Sequence, residues 1–185
     1  MSEEKFIDLR KPEERDLDLI LGWIKNEDYY HFVAGDALPS AVNLREMVLN
    51  QIEAASGYDS NIYLVMETKE GASVGMVMFH FINWKNSNAF MEVYLLDDNL
   101  KNKLIFDAAY RAALEFAFQE LNLHKICFYL FEDRHDFFSL MENMGAKREQ
   151  VLRKHFYCKK KFYDVYLYGL LRGEYEGDKE LYQKF

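Results

Sequence analysis

The sequence predicts an α+β fold: a mostly antiparallel, mixed central sheet flanked by helices, in the order β-α-α-β-β-β-α-β-α-β-β. Three observations predict it. Short runs with period-two alternation recur along most of the 185 residues. One long helical pattern separates two β-rich blocks, which calls for a parallel crossover within the sheet. Two long alternating runs joined by Lys159-Lys160-Lys161 close the chain as a hairpin.

Phe6 to Arg10 alternates and reads as the first strand. Pro12 suits a first helical turn, and Glu13 and Glu14 suit the positive end of a helix. Leu17, Ile20, Leu21 and Ile24 continue at helical spacing. A second helix is expected from near Ser40 through Leu44, Val48 and Ile52, broken at Gly57-Tyr58-Asp59-Ser60. Ile62–Glu67 and Val74–Ile82 are strands around the turn Lys69-Glu70-Gly71-Ala72, and Ala89–Leu96 is the next. Met76 and Met78 share one strand face, which points to core packing. The long helix covers about Asn102 to Leu121, and Lys125–Phe131 returns to strand. Asp136–Met144 is a short helix stopped by Gly145. Lys147–Tyr157 and Phe162–Leu171 form the closing hairpin. Phe79, Phe81, Phe116 and Phe118 are expected to fill the layers between sheet and helices. Residues 1–185 read as a single domain, with a core of about 5–175 and a fraying tail at 174–185.

Hydrophobic residues make up 50% of the chain, with 15 Phe, 13 Tyr and 2 Trp, so a large core needs no disulfide staples. Cys127 and Cys158 form no Cys-x-x-Cys pair, and the five His have no metal-ligand spacing, so no metal site is expected. Cys127 reads as a buried strand residue. The start lacks the apolar stretch of a signal peptide, and no run approaches a membrane span. The expectation is a cytoplasmic protein with no membrane partner. A net charge of -8 disfavours nucleic acid as a partner. The charge is uneven: residues 145–163 hold seven Lys/Arg and one acid.

Leu114 through Ile126, the run Met141-Glu142-Asn143-Met144-Gly145-Ala146-Lys147-Arg148-Glu149, and the hairpin segments Val151-Leu152-Arg153 and Phe162-Tyr163-Asp164-Val165-Tyr166 together resemble the GNAT superfamily of N-acetyltransferases. Leu9-Arg10 and Trp23 occupy matching places near the start. The resemblance covers roughly residues 5–175 and is nearest the ribosomal-protein alanine N-acetyltransferase-like branch. It implies acetyl-CoA as acyl donor. In the family, the donor pyrophosphate lies on backbone N–H groups at a helix N-terminus, where the helix dipole favours anions.

The family's donor loop usually reads Gln/Arg-x-x-Gly-x-Gly/Ala. Here it is Asn99-Leu100-Lys101-Asn102-Lys103-Leu104, so all three signature positions differ. Asn102 tolerates the left-handed backbone, whereas Leu104 puts a bulky side chain where the family has a small one. The resemblance assigns donor contacts to Leu95, Leu96, Lys101, Asn102, Lys103, Leu104 and Ile105.

Family catalytic positions are also replaced. The aligned residues are Arg134, Phe137, Met141 and Phe156, none of which carries the family's Asn, Ser, Tyr or Glu chemistry. Glu92 remains at a matching place as a base acting through water, with His155 and Tyr157 as candidates beside the leaving thiolate. Each also reads as an ordinary strand residue. The cluster Tyr157, Phe162, Tyr163, Tyr166 and Tyr168 could line an acceptor groove, form a face between two copies, or pack as core and surface tyrosines.

The reading is therefore an acyl-CoA-dependent N-acyltransferase. It would move acetyl from acetyl-CoA to a primary amine, on a protein N-terminus or a small molecule, with homodimerisation possible. The alternative is a GNAT-fold binding or dimerisation module that has lost acetyl-CoA binding.

Overall fold

The computed structural model describes residues 6–24, 46, 49, 60–96, 103–132, 135–158 and 160–175. Its strands are β1 (Ile7–Arg10), β2 (Ile62–Thr68), β3 (Ser73–Asn83), β4 (Asn88–Leu95), β5 (Lys125–Phe131), β6 (Lys147–Cys158) and β7 (Lys161–Leu171). They form one sheet in the order β1-β2-β3-β4-β5-β7-β6. The helices are α1 (Leu17–Ile24), α2 (Lys103–Glu115) and α3 (His135–Asn143). The helix expected from Ser40 lies outside the described residues except for Glu46 and Leu49, which are both helical. The chain forms two compact units, residues 1–79 with 92–114 and residues 80–91 with 115–185, and β3 and β4 run through both.

In the first unit, β1 pairs antiparallel with β2, and β2 with β3. The turn between β2 and β3 is the one the sequence marks: Gly71 takes φ 79°, and Thr68 N–H donates to Ala72 O at 2.9 Å. Pro12 precedes the helix instead of lying within it. A short 3₁₀ turn, Glu14–Asp16, leads into α1, and Asp16 Oδ2 accepts the Glu13 N–H at 2.7 Å. Leu17 and Ile20, three apart, send one face of α1 into a core with Val65, Met76 and Met78. The two methionines thus pack as core. Strand alternation sends Leu64, Met66, Val77 and Phe79 to the opposite face, where they too are buried. Gly75 has a steric reason: a Cβ there would lie 2.0 Å from Tyr94 O.

In the second unit, β4 and β5 are parallel neighbours through Asn88–Phe90 and Lys125–Cys127, as the crossover demands. β5 pairs antiparallel with β7 along its whole length, and β7 with β6. β6 carries two bulges against β7, one between Arg148 and Gln150 and a wider one between Leu152 and Phe156. The predicted long helix differs at its end, where Phe116–Glu120 winds as a π-helix. Arg172 closes that end, donating from Nε to Leu123 O at 3.0 Å and from Nη2 to Phe118 O. Gly145, at φ 93°, ends α3 as expected, and Ala146 N–H donates to Met141 O at 2.9 Å.

One expectation needs correction. Phe81 does not fill a layer: it takes φ 50° and is 72% exposed. The backbone there leaves the extended conformation, so its side chain leaves the period-two alternation that placed it inside. Tyr175, at the start of the expected tail, is 2% exposed and packs on Phe118 at 5.7 Å between ring centroids. Residues 176–185 lie outside the described residues.

Candidate active site

Glu92 lies on β4 two residues before Tyr94, so the two share a sheet face. Tyr94, Tyr63 and Leu96 pack against the α1-facing core of Leu17, Ile20, Val65, Met76 and Met78. The Tyr63 phenol is pushed up first by burial and then by the Glu92 carboxylate, which places those two groups within electrostatic reach. One Glu92 carboxylate oxygen, Oε2, is itself buried. The first unit therefore sets one acid and two tyrosines on an otherwise apolar face. A carboxylate in that setting can take a proton from an ammonium, directly or through water. Tyr63 was not singled out by sequence, because a Tyr inside Ile62-Tyr63-Leu64-Val65 reads as a packing residue of a β-rich run.

On the donor side, Leu95 is buried and Leu96 half-buried. The Leu96 N–H already donates to Val74 O at 3.0 Å, so it is committed within the sheet. Lys101 and Asn102 lie outside the described residues. Lys103, Leu104 and Ile105 form the first turn of the 13-residue helix α2. The positive end of the helix dipole suits an anionic donor. The Leu104 side chain is 81% exposed, so the bulk that replaces the family's small residue is turned outward and not packed into the core. The parallel ladder of β4 with β5 ends at Phe90 and Cys127, although β4 runs to Leu95 and β5 to Phe131.

His155 and Tyr157 belong to the second unit, two residues apart on β6, and both are exposed. His155 sits in the wider bulge. Tyr157 packs on Phe162 across the hairpin, with ring centroids 4.8 Å apart. Two of the replaced family positions have structural roles, and Arg134 lies outside the described residues. Met141 is 1% exposed, and Phe156 packs on Phe131 at 4.6 Å. The tyrosine cluster divides: Tyr168 is buried, Tyr163 and Tyr166 are half-buried, and Tyr157 and Phe162 stay in solvent. Cys127 is half-buried, and burial pushes its thiol up, which keeps it protonated and unreactive. Among the described residues no group of His, Cys, Asp and Glu could hold a metal ion, and no helix is long and apolar enough to cross a membrane.

A family model described as an acetyltransferase (GNAT) domain matches residues 9–167. Among curated proteins, the chain is 28% identical over 131 residues to Bacillus subtilis YdaF, which is provisionally named a ribosomal N-acetyltransferase. That match covers 71% of this chain and spans 65% of the relative's length. It is 24% identical to the uncharacterized N-acetyltransferase p20 of Bacillus licheniformis, covering 91% of this chain and 94% of that one. Among solved structures, the Vibrio cholerae spermidine N-acetyltransferase in complex with CoA and spermine superposes with a TM-score of 0.82 at 22% identity, covering 93% of this chain and 99% of that one. With the family model spanning most of its length, the chain belongs to the GNAT acetyltransferase domain family.

Proposed function

We propose that the protein transfers an acetyl group from acetyl-CoA to a primary amine, in a cytoplasmic setting, with Glu92 as the base. The observation that carries this reading is the Glu92 carboxylate on an apolar sheet face beside Tyr63, within a chain of the GNAT family. Acetyl-CoA, when bound, supplies a thioester whose carbonyl carbon the amine attacks. Glu92 takes the proton that the ammonium must lose before its nitrogen can attack. Tyr63 and Tyr94 bound the face on which the amine would sit and limit its exposure to water. The first turn of α2 faces the negative charge of the donor with N–H groups. The new bond is N–C, the broken bond is C–S, and the released thiolate takes up a proton.

The relatives suggest two kinds of amine, a polyamine and a protein N-terminus. A panel holding spermidine and an N-terminal peptide, assayed by thiol release from acetyl-CoA, tests both. A general base contributes about 10²–10⁴-fold, so Glu92→Gln should lower kcat by that order. Activity unchanged in E92Q removes Glu92 from the mechanism.

The second reading is a binding module that no longer takes the donor. It is favoured by the loss of all three donor-loop signature residues between Asn99 and Leu104. Calorimetric titration with acetyl-CoA separates the two, since a module that has lost the donor shows no heat of binding.

A further inference from the structure

We propose that the wide bulge of β6 is a binding site for the oxyanion of an acidic ligand, a phosphate or carboxylate group, held by Arg153 and His155. Between the pairs Leu152–Val165 and Phe156–Tyr163, β6 advances four residues while β7 advances two, so two residues are thrown out of the ladder. They open a concavity of about 690 Å³ lined by Val151 to His155 and by Asp164. That volume lies in the range of ligand sites, about 300–1,000 Å³.

The bulge is held in place by its neighbours and not by glycine. Lys154 takes φ 51°, a left-handed conformation that L side chains resist. Its N–H donates to Asp164 Oδ1 at 2.8 Å, and Asp164 N–H donates to Glu132 Oε2 at 2.9 Å. Backbone strain of this kind persists only where the surroundings over-determine it, and it clusters at functional sites.

The charges are then divided. Asp164 and Glu132 offset Lys154, whose Nζ lies 3.4 Å from Asp164 Oδ1 and 3.9 Å from Glu132 Oε2. Glu132 Oε1 also offsets Lys161, at 3.6 Å. Both carboxylates are pulled below the usual range, first by the backbone N–H each accepts and then by the lysines, with Arg153 adding to the effect on Asp164, so they stay ionised. Arg153 and His155, both exposed, also line the concavity, and the Arg153 charge lies within electrostatic reach of Asp164. A guanidinium fork and an imidazole on the lining of one concavity suit two oxygens of one phosphate or carboxylate. A polyamine would meet Arg153, Lys154 and His155 there against the single carboxylate of Asp164. The proposal is independent of the acetyl-transfer reading.

The test titrates the full chain with inorganic phosphate and, separately, succinate, at ionic strength fixed with sodium chloride. Backbone amide shifts of residues 152–156 and 164 provide the readout. Both anions should move these amides in one saturable step, and Arg153→Gln with His155→Gln should weaken binding at least tenfold while other amides stay in place. Arg153→Lys alone, which keeps the charge and loses the fork, should fall between. Tighter phosphate points to a phosphorylated ligand, and tighter succinate to a carboxylated one; either supports the site. No saturable shift, an undiminished shift in the double variant, or a comparable shift with spermine overturns it.

Discussion

Arg10 grips Asp16 with both terminal nitrogens of its guanidinium, Nη1 to Oδ2 at 2.6 Å and Nη2 to Oδ1 at 2.8 Å, while Nη2 also reaches Glu67 Oε1 at 2.6 Å. Three elements are tied by this contact: β1, the turn entering α1, and β2. The Arg10 guanidinium holds both carboxyls below their ordinary values. Their contribution to stability is therefore full above the unfolded carboxylate values, about 3.9 and 4.3, and is lost as pH falls through the lower folded values. Asp16→Asn should cost about 1.5–3 kcal/mol near neutral pH, the range for hydrogen bonds to charged groups. Urea midpoints measured from pH 7 to pH 2.5 should converge for wild type and D16N at the acid end. Parallel curves would show that Asp16 does not titrate with folding.

Gly75 faces Tyr94 O so closely that a Cβ would lie 2.0 Å away, against rigid backbone. Gly75→Ala should lower stability by about 1–3 kcal/mol or more, since the sheet has to separate locally to admit one methyl. Gly22, whose Cβ would meet nothing within 4 Å, is the matched control: Gly22→Ala within α1 should stabilise by up to about 1 kcal/mol. Equal effects from the two substitutions, by thermal melting, would contradict the close approach.

Tyr168 Oη donates to Glu142 Oε1 at 2.8 Å, joining β7 to α3. Burial, and then this hydrogen bond, pushes the phenol up to about 12. A raised folded value means its stabilisation is complete below the unfolded value, about 10, and drains away as pH rises toward the folded one. Tyr168→Phe should lose about 1–2 kcal/mol at neutral pH. It should also flatten the alkaline decline between pH 10 and pH 12 (in phenolate absorbance, one late-ionising tyrosine disappears). An unchanged late step would assign it to another phenol.

Arg172 satisfies two carbonyls, Phe118 O and Leu123 O, at the end of the π-helix. Arg172→Met keeps the aliphatic stem and removes the donors. It should cost about 1.5–3 kcal/mol, with hydrogen exchange quickening first at 116–124. Uniform quickening across the chain would place the role of Arg172 elsewhere.

Element order was legible because it rests on periodicity. The β-rich run of Ser73–Asn83, the apolar spacing in α2 and the Gly145 stop are all local signals that survive into the structure. The departures sit where a distant partner sets the backbone. Lys154 turns left-handed because Asp164, ten residues on, accepts its N–H, and no local residue choice announces that. Phe81 reads as a core phenylalanine until its φ of 50° carries it into solvent. At the candidate site, Glu92 was visible from its place in the family pattern. Tyr63 was not, since its relation to Glu92 crosses from β2 to β4 and has no signature in sequence. His155 was visible as a titratable residue, but its setting in a bulge was not.

β6 ends the strand order of the sheet and so offers an outer edge to any other chain. Strand-to-strand growth needs an uninterrupted row of amide groups in one register. Against the regular spacing of β7, β6 breaks register twice, after Arg148 and after Leu152. It also presents exposed Lys147, Arg148, Arg153 and Lys154 along its length. An incoming strand would lose step within a few residues and meet repeated cations. The hairpin that gives the chain its basic segment thereby also guards it against self-templated aggregation, and two copies are not expected to join through a continuous sheet at this edge.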